Sequence, residues 1–489
     1  FGTATDVNGY FNISRIPPGT YTLTVSSIGY LESSKEVLVK ADGILDERVY
    51  LEKSVQSIDE VVVSGERQEM RTQIHTSIVK VTPKQMAKIP TIGSEPDLAQ
   101  YLQVLPGVIF TGDQGGQLYI RGGAPIQNKV LLDGMIIYNP FHSIGLFSVF
   151  DSDVIRNADI YTGGFGAQYG GRISSIMDIT TRDGNKNRLS GKVSSSTFMS
   201  KVLVEGPLKK ARDEYDGSSS FILSAKHSYL EQTSKYLYAY VDSAGLPFNF
   251  TDFYGKVSIN SRNGSKVNFF GFNYSDNVTY RGITDIGWNS VGGGSNVVLV
   301  PGNYPALIKA NIAYSSYTIN MVEADQSPRQ SSINGFNVGL SFVYFFGKDE
   351  LDYGVETLGF NTNFDYFNSV GRKISQTQFT TELAVYAKYK MTLGKLLLEP
   401  SFRLHYYASL GEASPEPRLG MKYNISETFR VKFSGGMYSQ NLIAANSDRD
   451  VVNLFYGFLS GPENLQKEFD GKKVTSKLQK SNHAILGFE

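Results

Sequence analysis

The sequence predicts an all-β protein, and three observations support this fold class. The 489 residues include 49 glycines, 30 tyrosines and 30 phenylalanines, but a single tryptophan. Apolar and polar residues alternate along many segments, which is the period-two pattern of β-strands. Gly, Asn and Asp cluster between these segments, where tight turns are expected. Many aromatic strands joined by turns therefore account for the composition, in a protein that is either soluble or embedded in a membrane.

The composition also excludes several classes of function. Lysine plus arginine and aspartate plus glutamate both number 47, so the chain has no net basic field for nucleic acid. The absence of cysteine excludes disulfides and cysteine metal sites. The five histidines are scattered without metal-ligand spacing. No apolar run reaches the roughly 20 residues that a transmembrane helix needs. We therefore expect no metal and no cofactor.

Residues 1–53 read as the first domain, a β-sandwich. Asn8-Gly9 is a hairpin signal, and the stretch IPPGTYTLTVSSIGY places a Pro/Gly turn before an alternating strand. The wording GYFNI…IPPGTYTLTVSSIGY resembles the carboxypeptidase-regulatory-like domains. The first strands of that family are missing here, so we expect the native protein to extend beyond this N-terminus.

Residues 54–66 read as a solvated linker that contains one strand-like stretch. In SIDEVVVSG three consecutive valines follow two acidic residues, with polar sequence on both sides. β-Branched residues favour the extended conformation. Two interpretations remain open, because the valines either complete the last strand of the preceding sandwich or form a strand without a partner in its own chain.

Residues 67–184 change character and predict a small mixed α/β domain. PDLAQYLQVLPGV is helix-like, with Asp97 as its N-terminal cap and Pro106-Gly107 as its end. The remaining strands are rich in glycine, which suits a backbone that turns sharply and packs close to other surfaces.

Residues 185–489 repeat one device, the strand with one apolar and one polar face. In GFNVGLSFVYF the apolar face runs from Phe336 to Tyr344, and in QFTTELAVYAKYKM Leu383 and Glu382 lie on opposite faces. A soluble sandwich would turn the apolar face inward, whereas a membrane barrel turns it outward to lipid. Alternation alone does not decide between them, although strands of ten residues or more favour the membrane.

The middle region decides the question through a resemblance. YLQVLPGV, YIRGGAPIQNKVLLDGMIIYNP and GGFGAQYGGRISSIMDITTRDG follow one another in the order and spacing of the plug domain of TonB-dependent outer-membrane receptors. The N-terminal sandwich followed by DEVVVSG is similar to the arrangement found in such receptors of the Bacteroidota. The resemblance to the starch-utilisation type is weaker, because YGGRISSI stands where that group carries an alanine- and asparagine-rich motif.

The resemblance implies a multi-pass protein of the Gram-negative outer membrane that imports a nutrient or other ligand. The plug closes an antiparallel barrel of 22 strands, and the inner-membrane TonB protein with its ExbB/ExbD motor supplies energy. Residues 185–489 account for little more than half of those strands, so we expect further strands after this C-terminus. Other partners implied are outer-membrane lipid, further outer-membrane subunits and a surface lipoprotein lid. The ligand is not readable from the sequence.

The same resemblance suggests roles for particular residues. The valine stretch matches a TonB box, formed by Asp59, Glu60, Val61, Val62 and Val63. Arg121 and Arg172 match plug arginines that lock onto barrel carboxylates, for which Glu382 and Glu399 are the candidates; ordinary surface arginines are the alternative. The residues that carry the plug motif are Gly122, Gly123, Asp133, Gly134, Gly170 and Gly171, which we expect to be structural.

Enzyme functions find little support. The glycine-rich stretches precede no helix with a Lys-Ser/Thr pair, and no G-x-S-x-G motif is present. We expect no catalytic residues, with a rim hydrolase as the remaining enzymatic possibility. The main alternative to import is a non-transporting barrel that serves as a structural subunit of a larger outer-membrane complex.

Overall fold

The structure is a computed structural model of the chain. It describes residues 2–3, 5, 9–13, 16–27, 30–40, 45–51, 73–91, 95–111, 117–142, 145, 147–212, 216–237, 239–240, 243–280, 284–302, 304–323, 328–367, 371–426, 428–445, 457–461, 468–469 and 471–489. The predicted TonB box, Asp59 to Val63, lies outside the described residues.

The N-terminal region contains one antiparallel hairpin among its described residues. Strand β1 (Gly19–Val25) pairs with β2 (Ser33–Val39), with Gly19 opposite Val39. Both strands alternate between exposed and partly buried positions, as the alternating Thr and apolar residues predict. The described part of the predicted sandwich is thus one hairpin.

The plug, which we define as described residues 73–184, is built on a mixed five-stranded sheet. Its strand order is β3-β8-β9-β6-β7, in which β6 and β9 run parallel, and β4 and β5 form a separate hairpin. The strands are β3 (Ile78–Val81), β4 (Val108–Thr111), β5 (Gln117–Ile120), β6 (Asn128–Leu132), β7 (Met135–Ile137), β8 (Ile155–Tyr161) and β9 (Ser175–Thr181).

Two short helices complete the plug. The predicted helix is α2 (Leu98–Leu102), and Asp97 caps it as expected, since its carboxylate accepts from the Ala99 N–H at 2.7 Å. The sequence analysis missed α1 (Pro83–Met86), which begins with a capping box between Thr82 and Gln85. The signal was present, because Thr-Pro-x-Gln combines a cap, a proline at the first helical position and the reciprocal Gln.

Residues after the plug form one antiparallel sheet of 14 strands, which we call the wall. Each strand pairs with its neighbour in sequence, except that β22 pairs with β27. The strands are β10 (Ser190–Ser195), β11 (Met199–Lys209), β12 (Ser218–Ser228), β13 (Phe248–Asn260), β14 (Lys266–Tyr280), β15 (Thr284–Leu299), β16 (Ala306–Glu323), β17 (Pro328–Phe346), β18 (Asp349–Phe367), β19 (Lys373–Leu393), β20 (Leu396–Tyr407), β21 (Glu412–Asn424), β22 (Arg430–Gln440) and β27 (Gln479–Phe488).

The wall has two rims. At the turn rim, strands β13, β15, β17, β19 and β21 end and short connections follow. At the opposite loop rim, helix α3 (Leu230–Leu237) lies between β12 and β13, and residues 441–478 lie between β22 and β27. That second connection contains two small hairpins, formed by β23 (Leu442–Ala445), β24 (Gly457–Ser460), β25 (Glu468–Phe469) and β26 (Lys472–Lys473).

The wall turns its apolar face outward and its charged face toward the plug. Leu383 is 43% exposed, whereas its neighbour Glu382 is 4% exposed. Arg403 on the adjacent strand is 1% exposed, and the preceding Phe402 is 47% exposed. The prediction that the apolar faces of the strands point outward, the reverse of a soluble sandwich, is therefore confirmed for these side chains. Plug contacts reach strands from β11 to β27, so the wall curves around the plug.

The principal core lies inside this wall. Its buried apolar residues come mostly from the plug, and wall residues such as Tyr274, Trp288 and Tyr317 join it from the inner face. Among the described residues no helix is long and apolar enough to cross a membrane.

The outward face generates a stability prediction at Val355 on β18. This residue is 49% exposed and lies opposite Leu340 of β17, another exposed apolar residue. We expect Val355→Arg to destabilise the protein by about 2–4 kcal/mol in phospholipid vesicles, because the charge would enter hydrocarbon. Denaturant titration of the refolded protein measures this, with Val355→Leu as control. Equal stability of all three proteins would contradict a lipid-facing position.

Candidate functional site

The Asp133-Gly134 turn fastens the plug sheet to the wall. It joins β6 to β7 with φ angles of 50° and 87°, which an Asp-Gly pair adopts in a tight hairpin. The Asp133 carboxylate accepts from the Tyr254 hydroxyl at 3.0 Å, and Lys256 Nζ lies 3.5 Å away. Asn337 donates to the Gly134 carbonyl at 2.8 Å. The turn is therefore part of the plug–wall interface and not only of the plug.

The Gly170-Gly171 pair lies directly against wall side chains. A Cβ on Gly170 would come within 2.2 Å of Arg403 Nε, and one on Gly171 within 3.4 Å of Glu382 Oε2. A side chain at position 170 would therefore displace the Arg403 guanidinium. The other pair, Gly122-Gly123, follows β5 inside the plug, where a Cβ on Gly123 would overlap the Ser174 side chain.

The four residues of the predicted lock have the following partners. Arg121 donates to the Ser77 hydroxyl at 3.0 Å, and the buried Arg172 donates to the Gly171 carbonyl at 2.6 Å. Glu382 pairs with His405 at 3.1 Å. Glu399 pairs with a plug residue, but this is His75, at 3.2 Å. The lock between these arginines and carboxylates stays a prediction.

The structure brings together other charges that the sequence analysis did not single out. Plug Lys129 Nζ lies 3.3 Å from Glu356 Oε1 of β18, and the other oxygen of Glu356 accepts from Arg403 at 2.5 Å. Wall Lys201 lies 2.9 Å from Asp151 and 2.7 Å from Glu95 of the plug. The wall residues of these pairs lie on the polar faces of strands, which the alternation pattern predicts. No pattern in the sequence indicated the plug residues.

His142 is a fully buried plug residue that contacts two carboxylates of the wall. Its Nε2 lies 2.9 Å from Asp252 and its Nδ1 lies 3.2 Å from Asp276, both on the wall. The ring stacks on Phe250 with a centroid distance of 3.8 Å. Burial lowers the pKa of His142, but the two carboxylates outweigh burial and raise the pKa above its ordinary value. The two wall carboxylates therefore favour protonation of the ring that lies between them.

A cavity lies between the plug and the wall near the loop rim. The space between its lining residues, including the part open to solvent, is about 780 Å³. Its lining includes Tyr138, Arg172, Tyr317 and Phe458. Phe458 belongs to β24 and packs on Tyr138 and Tyr317 with centroid distances of 5.8 and 5.7 Å. The cavity thus offers aromatic faces and a guanidinium to a ligand entering from the loop rim.

The described residues contain no group of three or more His, Asp or Glu side chains positioned to hold a metal ion. Burial raises the pKa of Tyr138 in the cavity to about 12, so its hydroxyl stays protonated and can donate a hydrogen bond. The arrangement is suited to binding and retention.

The shared carboxylate of Glu356 predicts unequal effects of two neutralising substitutions. Glu356→Gln leaves Lys129 and Arg403 buried without their anion, whereas Lys129→Met leaves the Glu356–Arg403 pair intact. We expect Glu356→Gln to cost about 3–5 kcal/mol and Lys129→Met clearly less. Unfolding of the purified variants, together with leakage of bulky antibiotics into cells, measures plug retention. Equal losses would show that the carboxylate does not hold both cations.

The raised pKa of His142 predicts a pH dependence. Because protonation is favoured in the folded state, this stabilisation is fully present below the unfolded value near 6.5 and is lost as pH rises through the folded pKa. We expect the melting temperature of the wild type to exceed that of His142→Asn most at pH 6, with the gap narrowing toward pH 10. The exposed His227→Asn serves as control. A constant gap would contradict a protonated bridge.

Comparison with protein families matches two parts of the chain. Residues 1–63 match the CarboxypepD_reg-like domain, and residues 71–175 match the TonB-dependent receptor plug domain. TonB-dependent receptor P39 of Formosa agariphila is 26% identical over 194 residues, which cover 37% of this chain and 17% of the relative. TonB-dependent receptor SusC of Bacteroides thetaiotaomicron is 28% identical over 197 residues, covering 38% and 19%. The matched part is thus less than a fifth of either relative.

Solved structures share the fold over a longer stretch. The siderophore receptor PirA of Acinetobacter baumannii has a TM-score of 0.59 at 14% identity, covering 86% of this chain and 69% of PirA. The ferric citrate transporter FecA has a TM-score of 0.56 at 13% identity, covering 76% and 64%. The chain thus contains a CarboxypepD_reg-like domain and a TonB-dependent receptor plug domain, is similar in sequence to TonB-dependent receptors of the Bacteroidota, and shares the fold of solved outer-membrane receptors.

Proposed function

We propose that the protein imports a ligand across the Gram-negative outer membrane, with the plug gating the barrel. The observation that supports this most is the plug itself, which fills the space inside the wall and is held there by charged contacts such as Lys129–Glu356 and His142–Asp252. A pore that is occupied by ion pairs and hydrogen bonds needs work to open. An energy source outside the barrel is therefore part of the proposal.

The cavity under Phe458 is the proposed binding place for the ligand on the extracellular side. We assign the loop rim to that side because longer loops of outer-membrane barrels face outward and short turns face the periplasm. PirA is a siderophore receptor, and FecA is a ferric citrate transporter. At 13–14% identity this likeness concerns the fold, so we propose no particular ligand.

Energy coupling is proposed to occur through Asp59 to Val63. An extended segment can add a strand to a sheet edge of TonB, where backbone hydrogen bonds give affinity and alternate side chains give register. Five residues form only a few such bonds, each contributing about 1 kcal/mol net. Ordering a linker opposes them. Weak, reversible binding suits a handle that is pulled and released in every transport cycle.

The remaining partners follow from this role. TonB would act with the ExbB/ExbD motor, and a surface lipoprotein lid or other outer-membrane subunits would attach from outside. The findings do not favour the alternative of a non-transporting structural subunit, so we do not propose it.

Substitution within the valine stretch tests energy coupling. Val62→Pro removes a backbone donor and fixes φ, so we expect it to abolish uptake while folding and surface ligand binding persist. Val62→Ala keeps the backbone N–H and should retain transport. Because the chain contains no cysteine, Val62→Cys can be trapped as a disulfide with a cysteine-bearing TonB. Growth on the imported nutrient and the cross-linked band are the readouts.

Two results would contradict the proposal. The first is normal uptake by Val62→Pro. The second is failure of Val62→Cys to cross-link to TonB while ligand is bound, since coupling requires contact in that state.

A further inference from the structure

An apolar patch interrupts the polar inner face of the wall at the turn rim. Val298, Leu307 and Val343 are 6%, 5% and 3% exposed, and Val300 and Phe345 pack against them. Alternation places all of them on the inner face. Val298 is two residues beyond Asn296, which donates to Asp133 of the plug, and Val343 is six residues beyond Asn337, which donates to Gly134.

The inner face of the wall elsewhere carries charges that the plug neutralises, whereas this patch is apolar. Apolar side chains at the barrel mouth are stabilised when another part of the protein shields them from water. The mouth of a water-filled barrel would expose apolar side chains at this position to solvent. The nearest hydrogen bonds to the plug are made by Asn296 and Asn337, which lie two and six residues farther from the turn rim than Val298 and Val343. The occupant must therefore come from the rim itself.

The N-terminal region supplies this cover through Tyr10. Its ring packs on the patch, and its hydroxyl donates to the Gly264 carbonyl at 2.6 Å, in the turn between β13 and β14. Gly9, with φ of 87°, precedes it at a predicted hairpin. One aromatic residue thus combines an apolar contact with a directed hydrogen bond, which gives the docked position a defined orientation.

The first described residues of the plug are fixed to another sector of the same rim. Lys422 donates to the Gln73 carbonyl at 3.2 Å, His75 pairs with Glu399, and the Thr76 N–H donates to the Ser434 hydroxyl at 3.1 Å. These wall residues lie two to four positions from the turn-rim ends of β20, β21 and β22. Tyr10 and Gln73 are therefore both anchored at the turn rim, and the predicted TonB box lies between them in the sequence.

We propose that the patch of Val298, Val300, Leu307, Val343 and Phe345 is a docking seat for the chain's own N-terminal domain, and that docking restrains the access of a periplasmic partner to residues 52–72. The first part stands on the contacts of Tyr10. The second part rests on the proposed function, because it takes TonB as that partner.

Cross-linking in the full-length receptor tests docking. Asn12→Cys and Arg262→Cys place thiols two residues from Tyr10 and Gly264 in a chain that otherwise has none. A short bifunctional maleimide should join them, and mass spectrometry of the linked peptides gives the yield. In this background we expect Tyr10→Ala and Val343→Thr each to lower the yield about fivefold or more, through loss of the hydrogen bond or of the apolar contact.

Two matched controls separate docking from general damage. Tyr21→Phe removes a hydroxyl that donates to Pro17 inside the N-terminal domain, and Val338→Thr changes an outward residue on the strand that carries Val343. Both should keep the wild-type yield. Docking is overturned if Tyr10→Ala and Val343→Thr, one in each partner, also keep it.

Binding of the purified C-terminal domain of TonB tests the consequence. If docking occupies most molecules, Tyr10→Ala should bind about fivefold more tightly than the wild type, because apparent affinity scales with the accessible fraction. Loss of the cross-link with unchanged TonB affinity would overturn the restraint and leave docking supported. If the TonB domain binds neither protein, the proposed energy coupling fails, while the cross-linking result still decides docking.

Discussion

Pairing of charge inside the wall is the constraint on which the rest of the structure depends. A carboxylate such as Glu356, on a strand whose other face meets lipid, can point only inward, and there it is largely removed from water. Such a charge is tolerated when it is paired and hydrogen-bonded. The plug supplies Lys129, and β20, two strands away in the wall, supplies Arg403. Wall and plug therefore complete each other, because each buries charges that the other neutralises.

The same constraint explains where the interface departs from ion pairs. Near the loop rim, Tyr138, Tyr317 and Phe458 add aromatic surface to a cavity that Arg172 also lines. At the turn rim, the patch around Val343 is covered by Tyr10 from the N-terminal domain. Between them ion pairs and hydrogen bonds hold the plug beside apolar contacts with wall residues such as Tyr274 and Trp288. Entrance, gate and exit of the proposed import path thus differ in chemistry, and the charged middle section is the part that must be broken to open it.

Much of the architecture could be predicted because it is encoded in local patterns. Alternation at Leu383 and Glu382 gave the two faces of the strands, and Asp97 gave the start of α2. Those patterns depend on period and capping, which are properties of neighbouring residues. Helix α1 was not predicted, although Thr82 and Gln85 form a capping box that the sequence pattern already contains.

By itself, the sequence determined the fold class and which residues of each strand share a face, since these follow from short-range periodicity. Only the tertiary structure decided the partners: Glu399 meets His75, 324 residues earlier in the chain, and His142 lies between Asp252 and Asp276. Such pairs depend on the register and curvature of the wall. Both properties are set by many strands together, so the residues next to Glu399 or His142 in the sequence carry no signal for them. A charged residue on the inner face of a strand indicates that a partner is needed, but only the folded structure shows which residue that partner is.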